Sequence, residues 1–213
     1  PEPSTGGTLI NAGLEQLSGL GVVSKQDIEG ALQKIKKFKD QDMVGSTTHL
    51  SVIDKENNVA SVTTTNGVGA GFTVPGTGIM PNNMLGEKHL NINGFHNWKS
   101  QQRIPSNICP TLIVDKNNNL TTLGSAGSSR IISATMSVIS NLLNNEMSLK
   151  RSISKSRIHL EGDTLHCEPS DGHPEYKTEN VVIWEAKNMY FGGVNACSSF
   201  ESVGDERRSG VSV

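Results

Sequence analysis

The chain has 213 residues, of which 34% are apolar, enough for one sizeable core or two small ones in an ordinary globular body. Nineteen basic residues stand against twenty-one acidic ones, and the aromatics are two Trp, two Tyr and five Phe, so neither a basic stripe nor a stacking platform for nucleic acid is present. No apolar run approaches the roughly 20 residues needed to cross a bilayer.

The opening PEPSTGG carries no initiating Met and reads as the middle of a longer gene product, which leaves export open. Cys109, Cys167 and Cys197 are odd in number, widely spaced and without a CxxC pair, a pattern that supports neither a disulfide framework nor a zinc site and leans toward a reducing, cytoplasmic compartment. The stretch up to Lys39 predicts helix: Ser24 with Asp27 makes an N-cap, and Ile28, Ala31, Leu32, Ile35 and Phe38 recur at helical spacing above a lysine-rich, solvated face.

From Ser46 the period changes to that of strands. Three stretches share an apolar-alternating run, a polar turn and a second run: HLSVID-KENN-VASVTTT, TLIVD-KNNN-LTTLG and VVIWE-AKN-MYFGGV. Each predicts a hairpin. With its turn near Glu56, the first sets Thr47 opposite Thr65 and Ser51 opposite Ser61 on one face. His49 alternates onto that same face.

The segment from Gly67 to Gln102 is rich in Gly, Pro and Asn and predicts long ordered loops suited to binding. Its GVGAGF string leads into a Pro- and Gly-rich loop and not a helix, so it lacks the context of a dinucleotide site. After GSAGSSR, the residues Ile131, Ile132, Met136, Ile139, Leu142 and Leu143 predict a helix buried on one side. Antiparallel strands with helices packed on them imply an α+β layered body. His159, His166, Cys167 and His173 lie close together, but their spacing matches no recurring zinc pattern and they read as surface or packing residues.

The run Ser46 to Asp54, STTHLSVID, followed by NVASVTTTN from Asn58 to Asn66, resembles the start of the small subunit of the γ-glutamyltranspeptidase family. The likeness continues in order. PEPSTGGTLI is similar to the family's PPPSSGG segment near the end of the large subunit, GIMPNNM to its GILLNN-type loop and GSAGSSRI to its GSPGGSRI segment; SRIHLEGDTLHCEP and VGDERRSG are similar to later segments.

The resemblance implies an N-terminal-nucleophile hydrolase, a four-layer αββα sandwich made as a self-cleaving precursor. Residues 1–46 would then end the large subunit and residues 47–213 form the catalytic small subunit, with the cut between Ser46 and Thr47. A Thr hydroxyl is a poor nucleophile, and a free α-amino group with a pKa of about 8 is a suitable base beside it, so cleavage would create both on one residue. Thr65 matches the family's second threonine and would hold the Thr47 rotamer. The main chain at Gly127 and Ser128 matches its oxyanion glycines, just before a helix where amides are unpaired. Asn66 matches its substrate-binding Asn. Ser106 and Asn107 fall at its Ser-Ser pair for the α-carboxylate, and Glu87 falls near its Asp for the α-amino group.

Met84 stands where many members have Gln or Glu, the family's carboxylate-pairing Arg belongs to the large subunit, and far fewer residues than usual precede Thr47. The activity implied is cleavage of glutathione-like γ-glutamyl amides through an acyl-Thr47, passed to water or an amino acceptor, with no metal or organic cofactor. An acylase for glutaryl-type side-chain amides and an unprocessed, non-catalytic homologue are the alternatives. The implied partners are a small-molecule amide, the large subunit of the same precursor and, in larger assemblies, further copies of itself.

Overall fold

The computed structural model describes residues 5–35, 47–87, 90–91, 93–170, 176 and 179–213. Two helices come first, α1 (Thr5–Leu17) and α2 (Lys25–Ile35). The single helical stretch expected from the sequence is broken at Gly19, whose φ of 80° is the left-handed geometry that ends helices. The α2 cap forms as expected: the Ser24 amide donates to Asp27 Oδ2 at 2.9 Å and the Asp27 amide returns to Ser24 Oγ at 3.3 Å. Ile28, Ala31 and Leu32 are buried beneath it. Phe38 and the lysine-rich run after Ile35 lie outside the described residues.

Strands β1 (Thr47–Ile53) and β2 (Val59–Thr65) pair antiparallel with Thr47 opposite Thr65 and Ser51 opposite Ser61, the register expected from the turn. Strands β3 (Thr111–Val114) and β4 (Leu120–Ala126) form the second hairpin. Both turns use one device. Asp54 Oδ1 accepts the amides of Glu56 and Asn58, and Asp115 Oδ1 those of Asn117 and Asn119; Asn57 and Asn118 take the left-handed step at φ of 63° and 62°. Short amide and carboxylate side chains suit such turns because they can bond to the adjacent main chain.

The helix α3 (Arg130–Leu143) follows, then α4 (Leu149–Ser154), β5 (Ile158–Glu161), β6 (Thr164–Cys167), β7 (Val181–Ile183), β8 (Gly193–Ser198) and β9 (Ser202–Val203). The third expected hairpin does not form. β7 pairs parallel with β6, whereas β8 pairs with β4 and β9 in another sheet. The intervening Met189–Phe191 is a 3-10 turn, capped by the Asn188 side chain accepting from the Tyr190 amide, and Gly192 at φ 72° redirects the chain.

The sheet β3-β4-β8-β9 has the helices on one face and the β1–β2 hairpin stacked on the other. The described residues thus give layers in the order helix, sheet, sheet, an α+β arrangement. The core gathers Leu17, Ile28, Leu123, Ile132, Met136 and Val194 between helices and sheet. α3 is buried around its whole circumference, Ser133, Ser137 and Ser140 included, and not on one side as its apolar spacing predicts. α1, α4 and β5 cover the face that the central sheet leaves.

Candidate active site

The two strands of the hairpin bring the expected pair together: Thr47 and Thr65 meet hydroxyl to hydroxyl at 2.9 Å, with Thr47 only 9% exposed. The Gly67 amide donates to Thr65 Oγ1 at 3.0 Å, which fixes the rotamer from which Thr65 faces Thr47. One rung further in, His49 shares one ring nitrogen with Thr63 Oγ1 at 2.7 Å and the other with Ser51 Oγ at 2.8 Å. Burial pushes the His49 pKa down to about 4, so the ring is neutral near neutrality and its polar atoms are spent on holding the hairpin. Its seat is Gly124 of β4, where an added Cβ would stand 2.3 Å from His49 Nδ1.

The turn at Gly127 and Ser128 joins β4 to α3 with φ of 134° and 56°. Arg130 and Ile131 donate back to the carbonyls of Gly127 and Ser128, at 3.0 and 3.2 Å, which aims those carbonyls into the helix. Because a trans peptide points its N–H opposite its carbonyl, the Ser128 amide points away from the helix. A carbonyl oxygen that gains charge during attack would find a main-chain donor there.

A cavity of about 20 Å³, room for about one water, is bordered by Thr47, Thr65, Met84, Glu87, Ser106, Asn107 and Ser128. The loops from Gly67 to Leu90 and from Ser106 to Ile108 therefore converge on the threonine pair. Asn107 is buried, and its Nδ2 has no hydrogen-bond partner among the described residues. Ser106 Oγ accepts the Ile108 amide at 3.1 Å. Glu87 is packed against Gly67, where an added Cβ would lie 2.2 Å from its Oε1.

Asn66 is not on this cavity. It borders a cleft of about 640 Å³ on the other side of Thr47, shared with Thr48, Thr64, Arg207 and Arg208. Its main-chain oxygen holds the amides of Gly69 and Asn83, at 2.9 and 3.1 Å. Gly127 opens onto a third cavity with Arg130, Trp184 and Tyr190. Ser46 lies outside the described residues, as does His173. His159 is held by Ser133 Oγ at 2.8 Å, and His166 accepts from Trp184 Nε1 at 3.2 Å.

Three participants were not singled out from the sequence: Gly67, Gly124 and Arg208. Gly67 and Gly124 matter through what a Cβ would strike, a signal that lies in distant chain. Arg208 stands in the RRSG segment, whose charge pattern is that of any exposed turn. Arg207 beside it is fully buried, bidentate to Glu168 at 2.7 and 2.5 Å and paired with Asp205 at 3.2 Å. Arg157 meets Asp205 at 2.5 Å. Burial alone would raise the Asp205 carboxyl, but Arg157 and Arg207 hold it below the usual range. This buried quartet pins the turn that carries Arg208 to the cleft.

A hydroxyl at the head of a strand, a second hydroxyl against it, an amide-bearing turn alongside and sheets stacked between helices define the N-terminal-nucleophile hydrolase class. The model of the γ-glutamyltranspeptidase family matches residues 17–209, and the chain belongs to that family. It is 27% identical over 195 residues to the glutathione hydrolase proenzyme of Bacillus subtilis (strain 168), covering 85% of this chain and 32% of the relative. It is 31% identical over 156 residues to the acylase ACY 1 proenzyme of Pseudomonas sp. (strain SE83), covering 70% of this chain and 28% of the relative. The chain thus spans about a third of the length of these curated relatives. Among solved structures it resembles an acivicin-inhibited γ-glutamyltranspeptidase, with 27% identity and a TM-score of 0.61 over 76% of this chain and 99% of that one. The Bacillus anthracis transpeptidase CapD shares the fold, with a TM-score of 0.58 over 77% of this chain and 97% of that one. Among the described residues no helix is long and apolar enough to cross a membrane.

Proposed function

We propose that the chain is the catalytic part of a γ-glutamyltranspeptidase-like acyl-transfer enzyme, divided by self-cleavage into residues 1–46 and 47–213. The observation that carries this reading is the 2.9 Å contact of Thr47 with Thr65 at the edge of a cavity bordered by Ser128, Glu87, Ser106 and Asn107. Once the Ser46–Thr47 bond is cut, the Thr47 α-amine takes the proton of its own hydroxyl as Oγ1 attacks the amide carbonyl. The oxyanion is received at the Gly127–Ser128 turn, the C–N bond breaks, and the amine leaves with that proton. Water or a second amine then attacks the acyl ester, its proton passes to the α-amine, and Thr47 Oγ1 is released as the hydroxyl.

Glu87 supplies the carboxylate for a donor α-ammonium, and the unpaired Asn107 Nδ2 with Ser106 supplies donors for its carboxylate. Asn66, across Thr47, would steady the bound acyl group from the cleft side. The leading donors are glutathione-like γ-glutamyl amides. The partner is a large subunit from the same precursor, for which the open outer face of the hairpin, with Leu50 58%, Val52 43% and Val62 48% exposed, is the apolar ground. The threefold greater length of the relatives supplies a segment to cover it.

A second reading, an acylase for glutaryl-type amides, is favoured by Met84, a thioether where an ammonium group gains nothing. The test is the intact mass of the full-length gene product over time at neutral pH. A fragment beginning at Thr47 is expected, and a chain that stays whole overturns the catalytic reading. Hydrolysis of γ-glutamyl against glutaryl amides then decides between donors, since only the first carries an α-amino group.

A further inference from the structure

The two residues of the oxyanion turn open onto different cavities. Ser128 borders the small cavity with Glu87, Ser106 and Asn107, whereas Gly127 borders a separate space of about 240 Å³ with Arg130, Trp184, Met189, Tyr190 and Arg208. A carbonyl held at this turn has two substituents, and one cavity lies toward each. If the acyl side occupies the first, the nitrogen side points to the second.

The chemistry of the second space is specific. Trp184 and Tyr190 stack at 4.8 Å and 22°, an apolar wall. Arg130 lies over the Tyr190 ring at 4.3 Å, and its side chain is only 6% exposed. Its contact with Glu161 is long, at 3.5 Å, and Glu161 also receives the Tyr190 hydroxyl. Arg130 Nε is buried with no partner among the described residues, an unanswered donor on a cation bordering the cavity. Arg208 comes from the opposite side, with Nη1 3.3 Å from where a Cβ on Gly127 would lie. Burial and the proximity of Arg130 lower the Arg208 pKa, which marks two like charges drawn to one place. Such a pair answers an anion, and a planar guanidinium fits a carboxylate in particular.

We infer that this cavity is the amine-side subsite: it takes an amino acid or short peptide whose carboxylate is held by Arg130 and Arg208 and whose apolar side group lies on Trp184 and Tyr190. The inference rests on the acyl-transfer reading above. It makes the enzyme selective for amines that carry a free carboxylate, both as leaving group and as acceptor.

The test uses the full-length processed protein, a γ-glutamyl p-nitroanilide as donor, and glycyl-leucine against glycyl-leucinamide as acceptors. The wild type is expected to favour the carboxylate by about tenfold or more in kcat/KM for the acceptor, the scale of one charge-assisted hydrogen bond. Arg208→Gln should reduce the preference to under about twofold, and Arg208→Lys should keep part of it. A wild type indifferent to the carboxylate, or a preference undiminished in Arg208→Gln, overturns the subsite. Should no nitroaniline be released at all, the acyl-transfer reading is the one that fails. The subsite is then decided by calorimetric binding of the same two peptides to the wild type, where equal affinities reject it and a tenfold preference for the carboxylate retains it.

Discussion

Thr47 and Thr65 divide the work between reacting and positioning, and substitution separates the two. Thr47→Ala removes the only atom that can carry the acyl group, so self-cleavage and turnover should both vanish while the melting curve is kept; intact mass and donor hydrolysis read this. Thr65→Ala keeps the nucleophile but frees its rotamer, and both steps should slow by about a hundredfold, within the range of lost positioning. Unchanged rates would remove Thr65 from the site. Ser128 sits at φ 56°, where a side chain is a burden. Ser128→Gly should therefore leave turnover within about twofold and raise stability by up to about 1 kcal/mol, because only the main chain acts. A large loss of rate would show that the hydroxyl takes part. His49 titrates at about 4 when folded and at about 6.5 when unfolded, so the unfolded chain binds the extra proton between those values. Stability should be fully present above about pH 6.5 and fall as pH drops toward 4. Thermal melts at pH 7 and 4.5 should show this decline shrinking in His49→Gln.

At the scale of elements, the site depends on how closely β1 lies on β4. Gly124→Ala would drive a methyl into the His49 ring, and core overpacking of this kind costs about 1–3 kcal/mol. Since His49 is two residues from Thr47 on the same face, turnover should fall along with the melting temperature. Adding His49→Ser, which removes the ring, should restore part of the stability, and a strictly additive double variant would refute the contact. The elements also show where sequence patterns succeed. The first two hairpins were legible because their turns are closed by their own Asp and Asn side chains, an interaction local in sequence. The third pattern looked the same, but its halves joined different sheets, because Asn188 caps a 3-10 turn and Gly192 sends β8 to β4. Period-2 alternation identifies a strand and says nothing about its partner.

For the whole molecule, the buried group of Arg157, Asp205, Arg207 and Glu168 ties the C-terminal turn to β5, β6 and α4. Glu168→Ala would leave Arg207 buried beside a single carboxylate, and removing one partner of such a pair costs about 3–5 kcal/mol. Chemical denaturation should report that loss. Turnover at a temperature where the variant is still folded should also fall, since Arg208 borders the cleft from the same turn. The α+β class, two hairpins, the α2 cap, the facing threonines and the motifs of the family were all determined by the sequence alone, for they depend on spacing and on side chains acting near their own place in the chain. The seating of His49 on Gly124, the burial of every side of α3, the separation of Asn66 from the cavity of Glu87 and Asn107, and the meeting of Arg130 with Arg208 were decided only by the tertiary structure. Each of these is a distance between residues far apart in the chain, set by the stacking of sheets and helices, and no local pattern encodes it.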